Sequence, residues 1–178
     1  MFDLMHFTKS EQEKILKSLT ILVDTREHEG KNDHILSHFD NKKIPWKKEK
    51  LDHGDYSFFV PMNEELKIPK DLYFTNYICV ERKNSLDEWC GNLLEDRSAV
   101  KKKFSQMPKK SIFIIENGSY ADIINHKYRS KYDPKSYLGT LHSIWNEFGI
   151  PIIFMPDQNC TSTFIYAYFY YYLRGILK

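Results

Sequence analysis

The sequence predicts an α/β domain built on a mixed central β-sheet, with helices covering both faces. Two observations lead to this prediction. Three predicted strands, at residues 47–52, 56–60 and 77–81, follow one another without an intervening helix, which favours antiparallel pairing. Downstream, predicted strands alternate with predicted helices, which favours parallel pairing and helices packed on the sheet.

The first half of the chain begins with a helix signal. Thr8 and Glu11 have the spacing of a capping box, which predicts a short helix through Leu19. Residues 21–23 form a brief apolar run, typical of a buried strand. The remaining elements here are a helix over 31–39, the three strands named above, and a polar loop over 61–70 that contains two prolines.

The second half has clearer helix boundaries. Ser85, with Glu88 three residues later, begins a long helix that Pro108 ends. Asp133 before Pro134 begins another helix, and Gly149 closes it. The other predicted elements are a strand over 111–116, a short helix over 120–125, a strand over 151–155 and an aromatic last helix over 161–177.

Composition limits the class of protein. With 178 residues, 42% hydrophobic and 28% charged, the chain is long enough for one globular domain with a core. We expect a single domain over 21–178 with a helix appended at 1–20. A net charge of +2 means that any nucleic-acid contact depends on local patches.

Several other classes are disfavoured. Cys79, Cys90 and Cys160 are too few and too widely spaced for a disulfide framework or a zinc site. The longest apolar stretch is too short to span a bilayer, and no phosphate-binding GxxxxGK is present, so we expect neither a membrane nor a nucleotide cofactor. Without a signal peptide, we expect a cytoplasmic protein.

Three charged segments follow predicted strands and carry the candidate chemistry. Side chains two residues apart on a strand share a face, so Glu81 and Lys83 point together if the strand runs that far, and Arg82 points away. A glycine before Asp55 allows a sharp turn. Carboxylates so placed can hold a divalent cation against a phosphodiester, and a lysine beside them can support the attack of water.

These residues resemble the nuclease domain of the XPF-type endonucleases, within the PD-(D/E)xK superfamily, most closely its small stand-alone phage and bacterial members. The resemblance spans about residues 22–154 and implies a restriction-endonuclease-like core. It also implies Mg²⁺, replaceable by Mn²⁺, and a branched DNA substrate such as a flap, fork or four-way junction. The matching segments are Val23-Asp24-Thr25-Arg26-Glu27, Gly54-Asp55-Tyr56 and Glu81-Arg82-Lys83 followed by Asp87.

The resemblance also implies a role for each site residue. Asp55 and Glu81 would be metal ligands, with the backbone carbonyl of Arg82 as a third, and Lys83 would orient water or stabilise the transition state. The remaining assignments are Asp24 and Glu27 to a second metal or the water network, and Arg26 and Arg97 to phosphate or to the acidic cluster. Lys101 is a candidate DNA contact for a separate reason, because it lies in a basic cluster with Arg97 that would bind the phosphate backbone if it flanks the site. A homodimer, and a setting in phage or bacterial recombination, repair or replication, are further expectations.

Alternatives remain open at several positions. Asp24 and Arg26 also suit a structural ion pair, and Asp87 suits the first turn of a helix, where a carboxylate interacts with the helix dipole. The basic cluster of Arg97, Lys101, Lys102 and Lys103 is either a solvated face or a phosphate contact. For the whole chain, the alternatives are a non-catalytic DNA-binding partner on the same fold and an RNA-directed or restriction-like nuclease of the same superfamily. Larger family members carry a helix-hairpin-helix domain after the nuclease domain, and we expect none in this chain.

Overall fold

A seven-stranded mixed sheet between two layers of helices organises the part of the chain that the structure, a computed structural model, describes: residues 6–27 and 30–177. The first five residues of the segment predicted at 1–20, and Lys178, lie outside it. The elements are α1 (Lys9–Ser18), β1 (Thr20–Asp24), α2 (Asp33–Asn41), β2 (Trp46–Glu49), β3 (Tyr56–Val60), β4 (Leu72–Tyr73), β5 (Ile78–Lys83), α3 (Leu86–Ser105), β6 (Lys110–Glu116), α4 (Tyr120–Ile124), α5 (Pro134–Phe148), β7 (Ile152–Met155) and α6 (Thr161–Ile176).

The sheet has the order β2-β1-β3-β5-β6-β7, with β4 paired to β3. Strand β1 pairs antiparallel with β3, which pairs antiparallel with β5, whereas β5, β6 and β7 run parallel. The predicted mixed sheet is therefore confirmed. One addition is the parallel pairing of β1 with β2 at the far edge, which the helix α2 between them makes possible because a parallel pair needs a crossover connection.

Alternating side chains of the strands form two cores on opposite faces of the sheet. On one face, Ile112 and Ile114 of β6 pack with buried residues of α1, α2 and α6. On the other, Phe113 and Ile115 pack with buried residues of α3, α4 and α5. The predicted coverage of both faces is confirmed, and the period of two along β6 produces it.

The predicted helix signals hold at most boundaries. Thr8 and Glu11 form the capping box of α1, Ser85 caps α3, and Asp133 caps α5. Gly149 ends α5 in the left-handed conformation, where a residue without a Cβ carries little strain.

The loop predicted over 61–70 connects the antiparallel strands β3 and β4 and contains a short 3-10 helix, Glu64–Leu66. Two local predictions were wrong. The strand predicted to continue to residue 52 ends at Glu49. The long helix is interrupted at Asp96, whose φ of −156° and ψ of 91° are extended, and its Oδ1 accepts a hydrogen bond from Ala99 N at 2.9 Å. An aspartate competes with helical backbone bonds in this way, and here it caps a second helical segment.

The aromatic helix α6 contributes mainly to the core. Phe169 is fully buried and packs against Phe58 of β3, at 5.3 Å between ring centroids. Tyr171 differs, since 63% of it is exposed. In the described part of the chain, no helix combines the length and apolar character needed to cross a membrane.

Candidate active site

The three charged segments predicted from the sequence meet at one end of the sheet. They surround an open cleft of about 450 Å³ between the strand ends and α3. The cleft is lined by Asp24, Arg26, Glu27, Lys31, Asp52, Gly54, Asp55, Arg82, Lys83, Glu88, Asn92 and Lys103. A second depression along α3 shares Lys83, Asn92 and Lys103 with it and reaches Glu81.

Asp55 is held in the cleft by its backbone and by one carboxylate oxygen. Its N–H donates to Val80 O at 2.8 Å, and its carbonyl accepts from Asp24 N at 2.9 Å. Its Oδ2 accepts from the backbone N–H of Arg82 at 2.6 Å. Gly54, with a φ of +70°, makes the turn that brings the backbone against β5. The position of Asp55 is therefore set by both neighbouring strands.

Glu81 lies beside Asp55 and is almost fully buried, with 1% of its surface exposed. Its Oε1 accepts from Lys103 Nζ at 2.6 Å and lies 3.3 Å from Lys83 Nζ. Its Oε2 is buried without a hydrogen-bond partner among the described residues. Because β5 continues to Lys83, the prediction that Glu81 and Lys83 point together is confirmed.

Burial and the neighbouring carboxylate of Glu81 both disfavour the charge of Asp55. The surrounding protein removes water from Asp55, and the negative charge of Glu81 adds repulsion, so the pKa of Asp55 is raised to about 8. Burial works against the charge of Lys83, but Glu81 and Asp55 outweigh it and raise the pKa of that ammonium. The cleft therefore contains Lys83, whose ammonium stays protonated, and Asp55, whose carboxyl group resists ionisation unless another cation approaches.

These features suit a hard divalent cation. Such cations take oxygen ligands; Asp55 supplies a carboxylate in the cleft, and Glu81 supplies one in the adjoining depression along α3. Oε2 of Glu81 has no hydrogen-bond donor among the described residues, and a cation would supply it with a partner. The same cation would relieve the repulsion between Glu81 and Asp55. Among the described residues, no three or more His, Cys, Asp or Glu side chains form a group that could hold a metal ion.

Asp24 and Arg26 form the ion pair that the sequence left as an alternative. Asp24 Oδ1 accepts from Arg26 N at 2.7 Å, and its Oδ2 accepts from Arg26 Nη2 at 2.6 Å and from Leu51 N at 3.3 Å. Although burial opposes ionisation, the hydrogen bonds and charge of Arg26 lower the pKa of Asp24. Its carboxylate is thus already occupied in holding the end of β1.

Arg82 points away from Glu81, as predicted, into a buried charge network. Its Nη1 donates to Glu116 Oε2 at 2.7 Å and its Nη2 to Glu27 Oε2 at 3.2 Å. Glu116 also contacts His34 Nε2 at 3.0 Å. Glu27 therefore lines the cleft and is held by Arg82 on the strand that also carries Glu81. The partnership of Glu116 with Arg82 was not predicted from the sequence.

The predicted DNA-binding residues on α3 lie outside the cleft. Arg97 is exposed and Lys101 donates to both carboxylate oxygens of Glu147, at 2.8 and 3.0 Å. Asp87 accepts from the backbone N–H groups of Arg129 and Ser130, at 2.8 and 2.9 Å. Asp87 thus ties a loop to the start of α3, in keeping with the structural alternative.

Further cleft residues were not identified as site residues from the sequence. Lys103 contacts Glu81, and Glu88 pairs with Lys31 at 3.2 Å. Asn92 has a buried Oδ1 without a partner among the described residues. Of these residues, Lys103 was the one that the sequence marked as a possible phosphate contact, because it belongs to the basic cluster that begins at Arg97. That pattern did not distinguish Lys103 from Lys101 and Lys102.

The sheet order and the carboxylates at its edge define a restriction-endonuclease-like α/β domain. The model of the ERCC4 domain matches residues 23–168, and the chain belongs to this family of XPF-type nuclease domains. A search of curated proteins found no match.

Solved structures share the fold. XPF from Aeropyrum pernix aligns with a TM-score of 0.59 at 19% identity, over 84% of this chain and 59% of that one. XPF from the same organism in complex with DNA aligns with a TM-score of 0.61 at 17% identity, over 88% and 66%. This chain thus spans about three fifths to two thirds of those chains, and at such identity the likeness concerns the fold.

Proposed function

We propose that this protein is a metal-dependent endonuclease that hydrolyses phosphodiester bonds in branched DNA. The observation that carries the proposal is the pair of Asp55 and Glu81 at the end of the sheet, one lining the cleft and the other the adjoining depression, with Lys83 lining both. Family membership supports a nuclease, and an XPF structure bound to DNA supports DNA as the substrate. Intact acidic and basic groups in the cleft favour catalysis over a purely DNA-binding role.

Each residue has a defined part in this proposal. Asp55 and Glu81 would hold Mg²⁺ or Mn²⁺, with the backbone carbonyl of Arg82 as a further oxygen. When bound, the cation lowers the pKa of a water molecule and stabilises negative charge on the phosphate. Lys83, kept charged by the two carboxylates, places its ammonium where charge develops on the phosphate in the transition state. The expected products are a 5′-phosphate and a 3′-hydroxyl.

Two groups act on the site indirectly. The pair of Asp24 and Arg26 holds the end of β1 against the turn that carries Asp55. Glu27 and Arg82 link the segment after β1 to β5. With their carboxylates engaged in this way, Asp24 and Glu27 position the site and order its water, and a second cation would have to displace an existing ion pair.

Branched DNA and a homodimer are the finer parts of the proposal. Flaps, forks and junctions arise in recombination, repair and replication, which is the setting we propose. The dimer is supported by an apolar depression of about 680 Å³ next to the exposed Tyr171, lined also by Phe164 and Tyr168 of α6. An apolar surface of this kind is typical of interfaces.

The test is cleavage of a labelled panel of duplex, single strand, flap, fork and four-way junction, with matched RNA branches. Each substrate is incubated with Mg²⁺, Mn²⁺ or chelator. We expect metal-dependent cutting of branched DNA, lost by more than 100-fold in Glu81→Gln and Asp55→Asn because each removes a metal ligand. Glu65→Gln, an exposed glutamate outside the cleft, is the matched control.

The outcomes separate the candidate functions. Tight DNA binding by the wild type without cutting of any substrate would reject the enzyme and favour the non-catalytic partner. Cutting of RNA branches in preference to DNA would change the substrate class. Wild-type cleavage rates in both carboxylate variants would reject the assignment of Asp55 and Glu81.

A further inference from the structure

A second lysine, Lys103 on α3, reaches the same carboxylate as Lys83. Its Nζ lies 2.6 Å from Glu81 Oε1, closer than the 3.3 Å of Lys83 Nζ. The two lysines come from different elements and differ in exposure: 47% of the Lys103 side chain is exposed, and 17% of that of Lys83. Lys103 can therefore move into solvent, whereas Lys83 is confined by the protein.

The interruption of α3 determines where Lys103 lies. Asp96 begins a second helical segment, and Phe104 fixes that segment to the core. The Phe104 ring is 5.8 Å from Trp89 and 5.2 Å from Phe113, both in edge-on contact. Lys103, adjacent to this anchor, is thereby placed over the end of β5. Because the segment that carries Lys103 is packed against the core, the packing itself holds Lys103 close to Glu81.

Binding of a divalent cation changes the charge balance of the cluster. Without the cation Asp55 keeps its proton, so the carboxylate of Glu81 faces the two ammonium groups of Lys83 and Lys103. With the cation bound, Asp55 ionises as well, and two carboxylate charges stand against two ammonium groups and the cation. A divalent cation would leave two positive charges in excess. A phosphodiester carries one negative charge, and its pentavalent transition state in hydrolysis carries two, which would restore the balance.

From this geometry we propose that Lys103 is a second substrate-binding residue, which neutralises Glu81 while no cation is bound and contacts the phosphate once one is. The inference rests on the proposed function. A divalent cation supplies Glu81 with a stronger partner than an ammonium, so Lys103 is released. Its flexible stem and its position in both depressions allow it to reach a phosphate in the cleft.

An ordinary half-exposed salt bridge is the competing explanation. Such pairs contribute little, and they would influence metal binding and DNA binding weakly or not at all. If instead Lys103 mainly holds Glu81 in position, its removal would weaken metal binding. Competition with the cation predicts the opposite sign, namely tighter metal binding when Lys103 loses its charge.

The experiment compares Lys103→Met, Lys103→Arg and a control, Lys17→Met, an exposed lysine on α1 on the opposite face of the sheet. Mn²⁺ affinity of the protein alone is measured by the electron paramagnetic resonance signal of free Mn²⁺. Affinity for flap DNA is measured in Ca²⁺ at several salt concentrations. Single-turnover cleavage is measured in Mg²⁺.

For Lys103→Met we expect Mn²⁺ to bind about five-fold tighter because a repelling charge is gone. We expect the salt slope of DNA binding to fall by about 0.9, the effect of one lost phosphate contact, and cleavage to slow by about 10- to 100-fold. Lys103→Arg keeps the charge and should resemble wild type in Mn²⁺ affinity.

Unchanged or weaker Mn²⁺ binding in Lys103→Met would overturn the proposal, as would a salt slope equal to that of Lys17→Met. Neither readout requires cleavage. If the wild type binds Mn²⁺ and DNA but cuts nothing, the proposed enzyme fails while these two readouts still decide the role of Lys103.

Discussion

Among the glycines whose backbone is left-handed, Gly54 is the one whose replacement by alanine should damage the site most. Gly54 has a φ of +70°, and a Cβ there would lie 2.9 Å from both Val80 O and Cys79 Sγ. Val80 O is also the acceptor for Asp55 N. A methyl group would therefore push the turn away from β5 at the bond that positions Asp55.

Gly149 provides the scale for this effect. Its φ of +69° is nearly the same, but a Cβ there would have no neighbour within 4 Å. Gly149→Ala should thus show only the backbone penalty, about 1 kcal/mol of unfolding free energy. Gly54→Ala should add the clash with a backbone oxygen that cannot rotate aside, about 2 kcal/mol more, for a total of about 3 kcal/mol.

Urea unfolding of wild type, Gly54→Ala and Gly149→Ala measures the two penalties. Mg²⁺ titration of the folded variants reports on the site, and we expect affinity to fall at least ten-fold in Gly54→Ala and to stay unchanged in Gly149→Ala. If Gly54→Ala is no less stable than Gly149→Ala and binds Mg²⁺ equally well, the close contact with β5 does not set the position of Asp55.

Three further predictions concern charge. Without metal, folded Asp55 keeps a proton that the unfolded chain releases, so from about pH 4 to about 8 the stability should fall as pH rises, by at most about 1.4 kcal/mol per pH unit. Thermal melts in chelator check this, and an unchanged slope in Asp55→Asn would contradict it. Arg82→Met should lower the unfolding free energy in urea by about 3–5 kcal/mol because the fully buried Glu116 loses its arginine partner at 2.7 Å and retains, among the described residues, only its contact with His34. A loss below about 1 kcal/mol would mean that the pair of Arg82 and Glu116 is dispensable. If Lys101 binds DNA, Lys101→Ala should reduce the salt slope of DNA binding by about 0.9. Glu147→Gln removes the charge that pairs with Lys101 and should therefore raise DNA affinity. Equal salt slopes for wild type and Lys101→Ala would place Lys101 outside the interface.

The fold could be predicted because its signals are local. The caps at Thr8, Ser85 and Asp133 and the stop at Gly149 depend on hydrogen bonds and backbone angles within a few residues. The alternation in β6, with its two faces in separate cores, likewise follows from the pleat of a strand. The break at Asp96 was missed because several apolar residues on both sides of it keep a helical spacing.

The candidate site could be predicted only in part. Glu81, Arg82 and Lys83 are neighbours on one strand, so their alternating directions follow from the sequence alone. The contact of Lys103 with Glu81 joins residues 22 positions apart, and that of Glu116 with Arg82 joins residues 34 apart. No local pattern distinguishes these two from other charged residues.

By itself, the sequence determined the order and type of most elements and the presence of Asp55, Glu81 and Lys83 as a group. The tertiary structure decided which charges are already paired, as Asp24 is with Arg26, and which atom remains without a partner, as Oε2 of Glu81 does. The physical reason is that secondary structure arises from short-range geometry, whereas burial, repulsion and ion pairing depend on distances that only packing sets.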